Sequence, residues 1–243
     1  MSRYGRLQLH QNLSPNSSLS RPELSQDVKI ALMAGGSSSI GYAIAKAFVQ
    51  ASAAKVIILG RWLEAIQDAT KQLRKDSQRS EVVGLACHVS KPDEVDKLST
   101  VLEREGTRVG VQVLNAAGMS RPVPILKRGT EGVWEDYEMN VRGDLDMTER
   151  FYKQKREGHG SQKLLVNVST HAIHDWTKMP GYGLTKNGGT LVLQLIVVRN
   201  AANLPGQFAV WTASPEARFL HGRFVWTEWD VEELKSGAVR ERI

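Results

Sequence analysis

From residue 27 onward, short apolar runs alternate with longer stretches in which apolar residues return every three or four positions. Val28–Ala34, Val56–Leu59, Val82–Val89 and Val109–Leu114 are runs of the first kind, and another opens the stretch Leu164–Lys186. Their length, near-continuous hydrophobicity and flanks predict strands buried on both faces, as in a parallel sheet. Tyr42–Ala51, Leu63–Leu73, Asp93–Glu105 and Gly132–Phe151 carry helical spacing, with Pro92 where a helix starts. A last helix is expected to open at Tyr182 and continue through Asn187–Arg199. Strands alternating with helices predict an α/β fold built on a parallel sheet. Met1–Gln26 breaks the pattern, being rich in Ser, Asn, Gln and Arg with Pro15 and Pro22. It reads as a flexible leader outside the fold, which leaves 27–243 as one domain.

Composition narrows the function classes. The chain is 41% hydrophobic and 24% charged, and no apolar run is long enough to span a bilayer. Its net charge of +6 is scattered among acids, with no basic block interleaved with aromatics. This argues for a mixed solvated surface rather than a nucleic-acid groove. Cys87, the single cysteine, excludes a disulfide framework and fits a reducing, cytoplasmic compartment. His171 and His174 lack a third clear ligand nearby, so no metal site is expected.

The chemistry lies at the ends of the apolar runs. Gly35-Gly36-Ser37-Ser38-Ser39-Ile40-Gly41 joins the first strand to the first helix, the layout in which backbone N–H groups and a helix N-terminus receive a pyrophosphate. Its spacing is not G-x-G-x-x-G. The second strand ends in Gly60-Arg61: no acid stands where a free ribose would be held, and Arg61 suits a 2′-phosphate, which favours NADP over NAD. Asn115-Ala116-Ala117-Gly118 follows the fourth run with small residues that let a ring approach the backbone. Asn140 lies within a helical stretch, and Ser169 and Thr170 end the fifth run. Tyr182 and Lys186, four apart, share one face of a helix. A neighbouring ammonium is expected to lower the phenol's pKa from its usual value of about 10 and make it a usable acid/base.

In this order, the glycine turn, N-A-A-G, the helical Asn and the Tyr/Lys pair resemble the short-chain dehydrogenase/reductase family. The resemblance implies a Rossmann-like doubly wound parallel sheet that binds NAD(P). It puts Gly35, Ser37, Ser39, Ile40, Gly41, Arg61, Asn115, Ala117, Gly118, Tyr182 and Lys186 at the cofactor. Tyr182 is then the general acid/base, Lys186 holds the nicotinamide ribose, and Asn140 maintains a water relay. Either Ser169 or Thr170 orients a small-molecule carbonyl or alcohol substrate. Three departures stand out: Ser39 replaces the middle glycine, Ala116 replaces an asparagine, and His88 stands where an adenine-contacting aspartate is usual. Family members form dimers or tetramers through the helices near Asn140 and Tyr182.

The chain from Leu204 resembles the carboxy-terminal region of a fungal branch of that family, with a last strand at Arg223–Trp226. Lys186 and Arg218 stand too close in sequence to hold the further βα unit, P-G loop and lid that the family places between them. Pro205-Gly206 has no strand before it. The sequence therefore implies an internal deletion near 199–204, a sheet incomplete near the C-terminus, and a rearranged final third with an open substrate side. The expected function is NADP(H)-dependent interconversion of a ketone and a secondary alcohol, with a fungal secondary metabolite as a plausible substrate. The alternative is a dinucleotide-binding remnant with little or no turnover.

Overall fold

The computed structural model describes residues 24–77, 79–154, 163–174, 179–196, 210–220, 225 and 234–235. Five parallel strands form one sheet: β1 (Ile30–Ala34), β2 (Lys55–Gly60), β3 (Glu81–Ala86), β4 (Val111–Leu114) and β5 (Leu164–Asn167). Their order is β3-β2-β1-β4-β5. The chain thus builds outward from β1 on one side, then returns to place β4 on the other. The crevice at the carboxyl ends of β1 and β4 is the switch point where such sheets bind ligands.

Side-chain alternation along the strands divides the core into two layers. Ala31, Met33, Val56, Ile58 and Val82 face α1 (Ser39–Gln50) and α2 (Leu63–Asp76), packing on Ile44, Phe48, Ile66 and Leu73. Leu32, Ala34, Ile57 and Leu59 face the other way, with Val95 and Leu98 of α3 (Pro92–Arg104) and Met147 and Phe151 of α5 (Gly143–Lys153). Leu193 of α6 (Pro180–Ile196) closes this second layer.

The expected single helix over Gly132–Phe151 is divided. α4 (Ile125–Tyr137) has a non-helical Gly129 inside it, with φ 76°. It runs through a π-helical turn at Glu138–Arg142 into α5. Apolar periodicity alone does not reveal such an inserted residue, and π-turns concentrate at functional sites; this one carries Asn140.

Described residues at both ends of the chain contribute to the core. Leu24 and Gln26 are buried, and the Gln26 backbone N–H donates to the Ala51 carbonyl at 2.9 Å, so the packed fold begins before residue 27. The remaining leader, 1–23, lies outside the described residues. In the final third, Val210, Trp211, Ala217, Leu220, Val225 and Leu234 join the α1 layer of the core. The described part of the final third thus packs into that layer. The loss near 199–204, Pro205-Gly206 and the strand at Arg223–Trp226 lie outside the described residues, apart from Val225. Among the described residues, β5 has no strand on its outer side.

Candidate active site

The glycine turn is shaped by close backbone approach. Gly35 has φ 72°, and a Cβ there would lie 2.9 Å from the Ala116 Cα. A Cβ on Gly41 would lie 2.1 Å from the Gly35 carbonyl oxygen and 2.5 Å from the Asn115 amide nitrogen. That amide donates to the Gly35 carbonyl at 3.0 Å, clamping the ends of β1 and β4 together. Ser39, at the family's middle glycine, has φ 49°. A left-handed conformation costs a non-glycine residue about 1 kcal/mol. The chain keeps the backbone path without the glycine that relaxes it.

A cavity of about 640 Å³ opens over this turn. Ser37, Ser39 and Ile40 form one end, Gly60, Arg61 and Trp62 the next side, and Asn115, Ala116 and Ala117 its floor. Ser38 makes no side-chain cap at the N-terminus of α1, so first-turn amides remain available to an anion. Arg61 is exposed at the rim, its guanidinium carbon 5.9 Å from the Trp62 ring centroid. His88 turns aside: its Nδ1 is 2.9 Å from the Ser90 hydroxyl. Burial first, and then the Arg61 charge, push the imidazole below its ordinary range. Cys87 lines the cavity, but burial drives its thiol up to about 12, leaving it inert.

At the far end, Ser169, Thr170 and Tyr182 also line the cavity. The two hydroxyls that sequence leaves as alternatives have different partners. Ser169 lies 3.1 Å from the Thr190 hydroxyl of α6, whereas Thr170 hydrogen-bonds the Tyr182 phenol. The Thr170 hydroxyl also accepts the Ala172 N–H at 3.3 Å, which fixes the turn after β5.

Gly41, Gly118, Asn140 and Lys186 stand behind the cavity wall rather than on it. Asn140 is fully buried. Its carbonyl accepts the Gly118 N–H at 2.8 Å, and its amide donates to the Gly118 carbonyl and the Thr185 hydroxyl, each at 2.9 Å. Asn140 thus ties the loop after β4 to the helix that carries Tyr182 and Lys186. Gly118 serves this junction: a Cβ would meet Met139 Cγ at 3.0 Å.

Sequence reasoning passed over Asp144. It is 2% exposed, one helical turn beyond Asn140, and its Oδ2 is 3.9 Å from the Lys186 ammonium, also 2% exposed. Among the described residues, that oxygen has no hydrogen-bond partner. Burial pushes the carboxyl up to about 6, with Lys186 pulling the other way. The i, i+4 relation to Asn140 was the available signal. The expected lowering of the Tyr182 phenol is also corrected. Burial raises it, the Thr170 hydrogen bond pulls it down, and Asp144 raises it further. Desolvation is the largest of these effects.

The sheet order, the glycine-clamped crevice and a tyrosine beside a buried lysine define an α/β nucleotide-fold oxidoreductase. Comparison with known proteins places it more closely. A match to the short chain dehydrogenase family covers residues 29–198. The chain belongs to the short-chain dehydrogenase/reductase family, an oxidoreductase family whose members bind a nicotinamide dinucleotide. The short chain dehydrogenase/reductase nsrO of Aspergillus novofumigatus is 28% identical over 253 residues, covering 88% of this chain and 84% of that protein. A 3-oxoacyl-[acyl-carrier protein] reductase from Brucella melitensis, solved with bound NAD, superposes with TM-score 0.74 at 19% identity, covering 90% and 97% of the two chains. L-sorbose reductase from Gluconobacter frateurii, solved with NADPH and L-sorbose, gives TM-score 0.63 at 19% identity over 72% and 65%. At these identities the solved structures establish the fold alone. Among the described residues, no helix is long and apolar enough to cross a membrane, and no cluster of three His, Cys, Asp or Glu could hold a metal ion.

Proposed function

We propose that this chain is an NADP(H)-dependent oxidoreductase that interconverts a ketone and a secondary alcohol in the cytoplasm. The observation that carries the reading is the Tyr182 phenol lining a glycine-clamped cavity, hydrogen-bonded to Thr170 and one turn from the buried Lys186. The cavity lining suits a dinucleotide: Gly35 at φ 72° lets the turn pass close against Ala116, α1 starts without a side-chain cap, and no acid ends β2. Ser37, Ser39, Ile40, Asn115 and Ala117 would hold it, with Arg61 on a 2′-phosphate and Tyr182 toward the ribose, Lys186 standing one turn behind it. When bound, NADP(H) supplies or accepts the hydride. In reduction, Tyr182 donates its proton to the carbonyl oxygen as that oxygen becomes an alkoxide, and Thr170, or Ser169 beside it, orients the oxygen. Asn140 holds the loop after β4 against α6.

Arg61 decides the choice between NADP and NAD. Arg61→Ala is expected to weaken NADPH binding by about 10–100-fold, the worth of a hydrogen-bonded charge, with NADH affinity unchanged. Calorimetric titration with both cofactors checks this. An equal loss for the two would remove Arg61 from the 2′-phosphate.

The fungal-type tail supports a substrate resembling those of secondary metabolism. Leu145, Leu184, Leu191 and Leu195 are exposed on α5 and α6, which supports a dimer or tetramer built on these helices. Sedimentation as a monomer at micromolar concentration would contradict that assembly. A second reading, a dinucleotide-binding remnant without turnover, draws on one observation. Lys186 and Arg218 stand only 32 positions apart, too few for the further βα unit that the family places between them.

A further inference from the structure

We propose that the cavity between α3, α5 and the amino end of β4 is a second binding site, one that takes a small carboxylate with an apolar body. The evidence begins with one residue of the sheet. Strands buried on both faces are apolar throughout, yet β4 reads Val111-Gln112-Val113-Leu114. Val111 and Val113 join the α1 layer, so alternation turns Gln112, like Leu114, toward α3 and α5, between Leu32 of β1 and Leu165 of β5. Gln112 is 3% exposed, and among the described residues its Nε2 has no hydrogen-bond partner. A buried amide left unpaired is costly, and nearly all such groups in folded chains are satisfied.

Gln112 lines a cavity of about 260 Å³. Leu98 and Leu102 of α3, Met147 and Phe151 of α5, and Leu32 and Val109 supply its apolar walls. Arg108 lines it too, half-buried, and its buried Nε also lacks a partner among the described residues. The other side-chain amide and cations of the lining are engaged. Gln154 accepts the Val109 N–H at 3.0 Å and donates to the Phe151 carbonyl at 3.4 Å. Arg150 pairs with Asp96 and Asp146, and Lys153 with Glu149. Glu103, the acid of the lining, is exposed to solvent.

Two buried donors therefore remain for a ligand, and one of them is cationic. A carboxylate suits both, because it only accepts hydrogen bonds and forms charge-assisted ones with a guanidinium. The walls call for an apolar body. A cavity of about 150 Å³ holds benzene, so this one has room for a ring that carries a carboxylate. None of its lining residues lines the cavity of Tyr182, so the two sites are separate.

The test follows binding of 4-fluorobenzoate to the full chain by fluorine NMR, with 4-fluorotoluene as the uncharged control. 4-Fluorobenzoate is expected to bind with a Kd of about 1 mM or below, an affinity open to a ligand of this size, and to stay bound when NADPH is added. Arg108→Met and Gln112→Leu are each expected to weaken it about tenfold or more, the loss of a charge-assisted hydrogen bond. Displacement by NADPH, unchanged affinity in either variant, or equal binding of 4-fluorotoluene would each overturn the proposal. Stability without ligand supplies a second check. Replacing an unpaired buried amide by Leu is expected to raise the urea midpoint of Gln112→Leu above that of the parent chain. A lower midpoint would mean that the amide is paired within the chain, and it too overturns the proposal. Neither measurement needs turnover, so both outcomes are independent of the reductase reading.

Discussion

Tyr182→Phe is expected to lower kcat for ketone reduction by about 10³-fold while leaving NADPH affinity nearly unchanged. The substitution removes one oxygen. The ring still lines the cavity and α6 keeps its packing, so cofactor binding, proposed to draw mainly on the glycine turn and Arg61, has no reason to fail. The proton source is gone, however, and positioned general acid catalysis contributes on the order of 10²–10⁴. Thr170 cannot replace the phenol, because an aliphatic hydroxyl is far too weak an acid; the role proposed for it, or for Ser169 beside it, is to orient the carbonyl oxygen. Steady-state rates with NADPH, alongside a binding titration, separate the two effects. Ordinary turnover by the Phe variant would remove Tyr182 from the chemistry.

Gly41→Ala is expected to destabilise the chain by about 3 kcal/mol, at the upper end of overpacking costs. Its Cβ would sit 2.1 Å from a carbonyl oxygen and 2.5 Å from the Asn115 amide. The carbonyl belongs to Gly35, whose own φ of 72° and proximity to Ala116 leave it little room to retreat. Helix propensity favours Ala over Gly by about 1 kcal/mol, which the clash outweighs. Gly188→Ala in α6 is the control: its nearest neighbour is Tyr137 Cε1 at 3.6 Å, an ordinary contact, so propensity wins and the variant is expected to gain stability. Urea unfolding of the two variants should move in opposite directions. A Gly41→Ala midpoint equal to that of the parent chain would be incompatible with this turn geometry.

The sheet was legible in the sequence because strands buried on both faces must be apolar throughout, and their carboxyl-end loops carried the site. Gly35, Asn115 and Arg61 were found that way. α4 and the π-turn were less so, since one inserted residue shifts a helical face without altering which residue types recur. Asp144 was hidden by its company: within Arg142-Gly143-Asp144-Leu145-Asp146 it reads as part of a solvated charged face, and only the fold reveals that Lys186 covers it. Ser169 and Thr170 stand as alternatives in the structure too, because both follow β5 and both reach the cavity. Partners distinguish them, Thr190 for Ser169 and Tyr182 for Thr170. Leu24 and Gln26 end a polar stretch, and their burial depends on contacts with chain segments far along the sequence.

The account's central claim is that this site moves a hydride and a proton onto a ketone. Incubation of the full chain with NADPH deuterated at nicotinamide C4 and a panel of cyclic and aryl ketones, followed by mass spectrometry of the alcohols, tests it most directly. The account predicts a secondary alcohol carrying the transferred deuterium on its carbinol carbon, with the Tyr182→Phe chain giving only background. NADPH bound at saturation with no labelled alcohol from any ketone would contradict it.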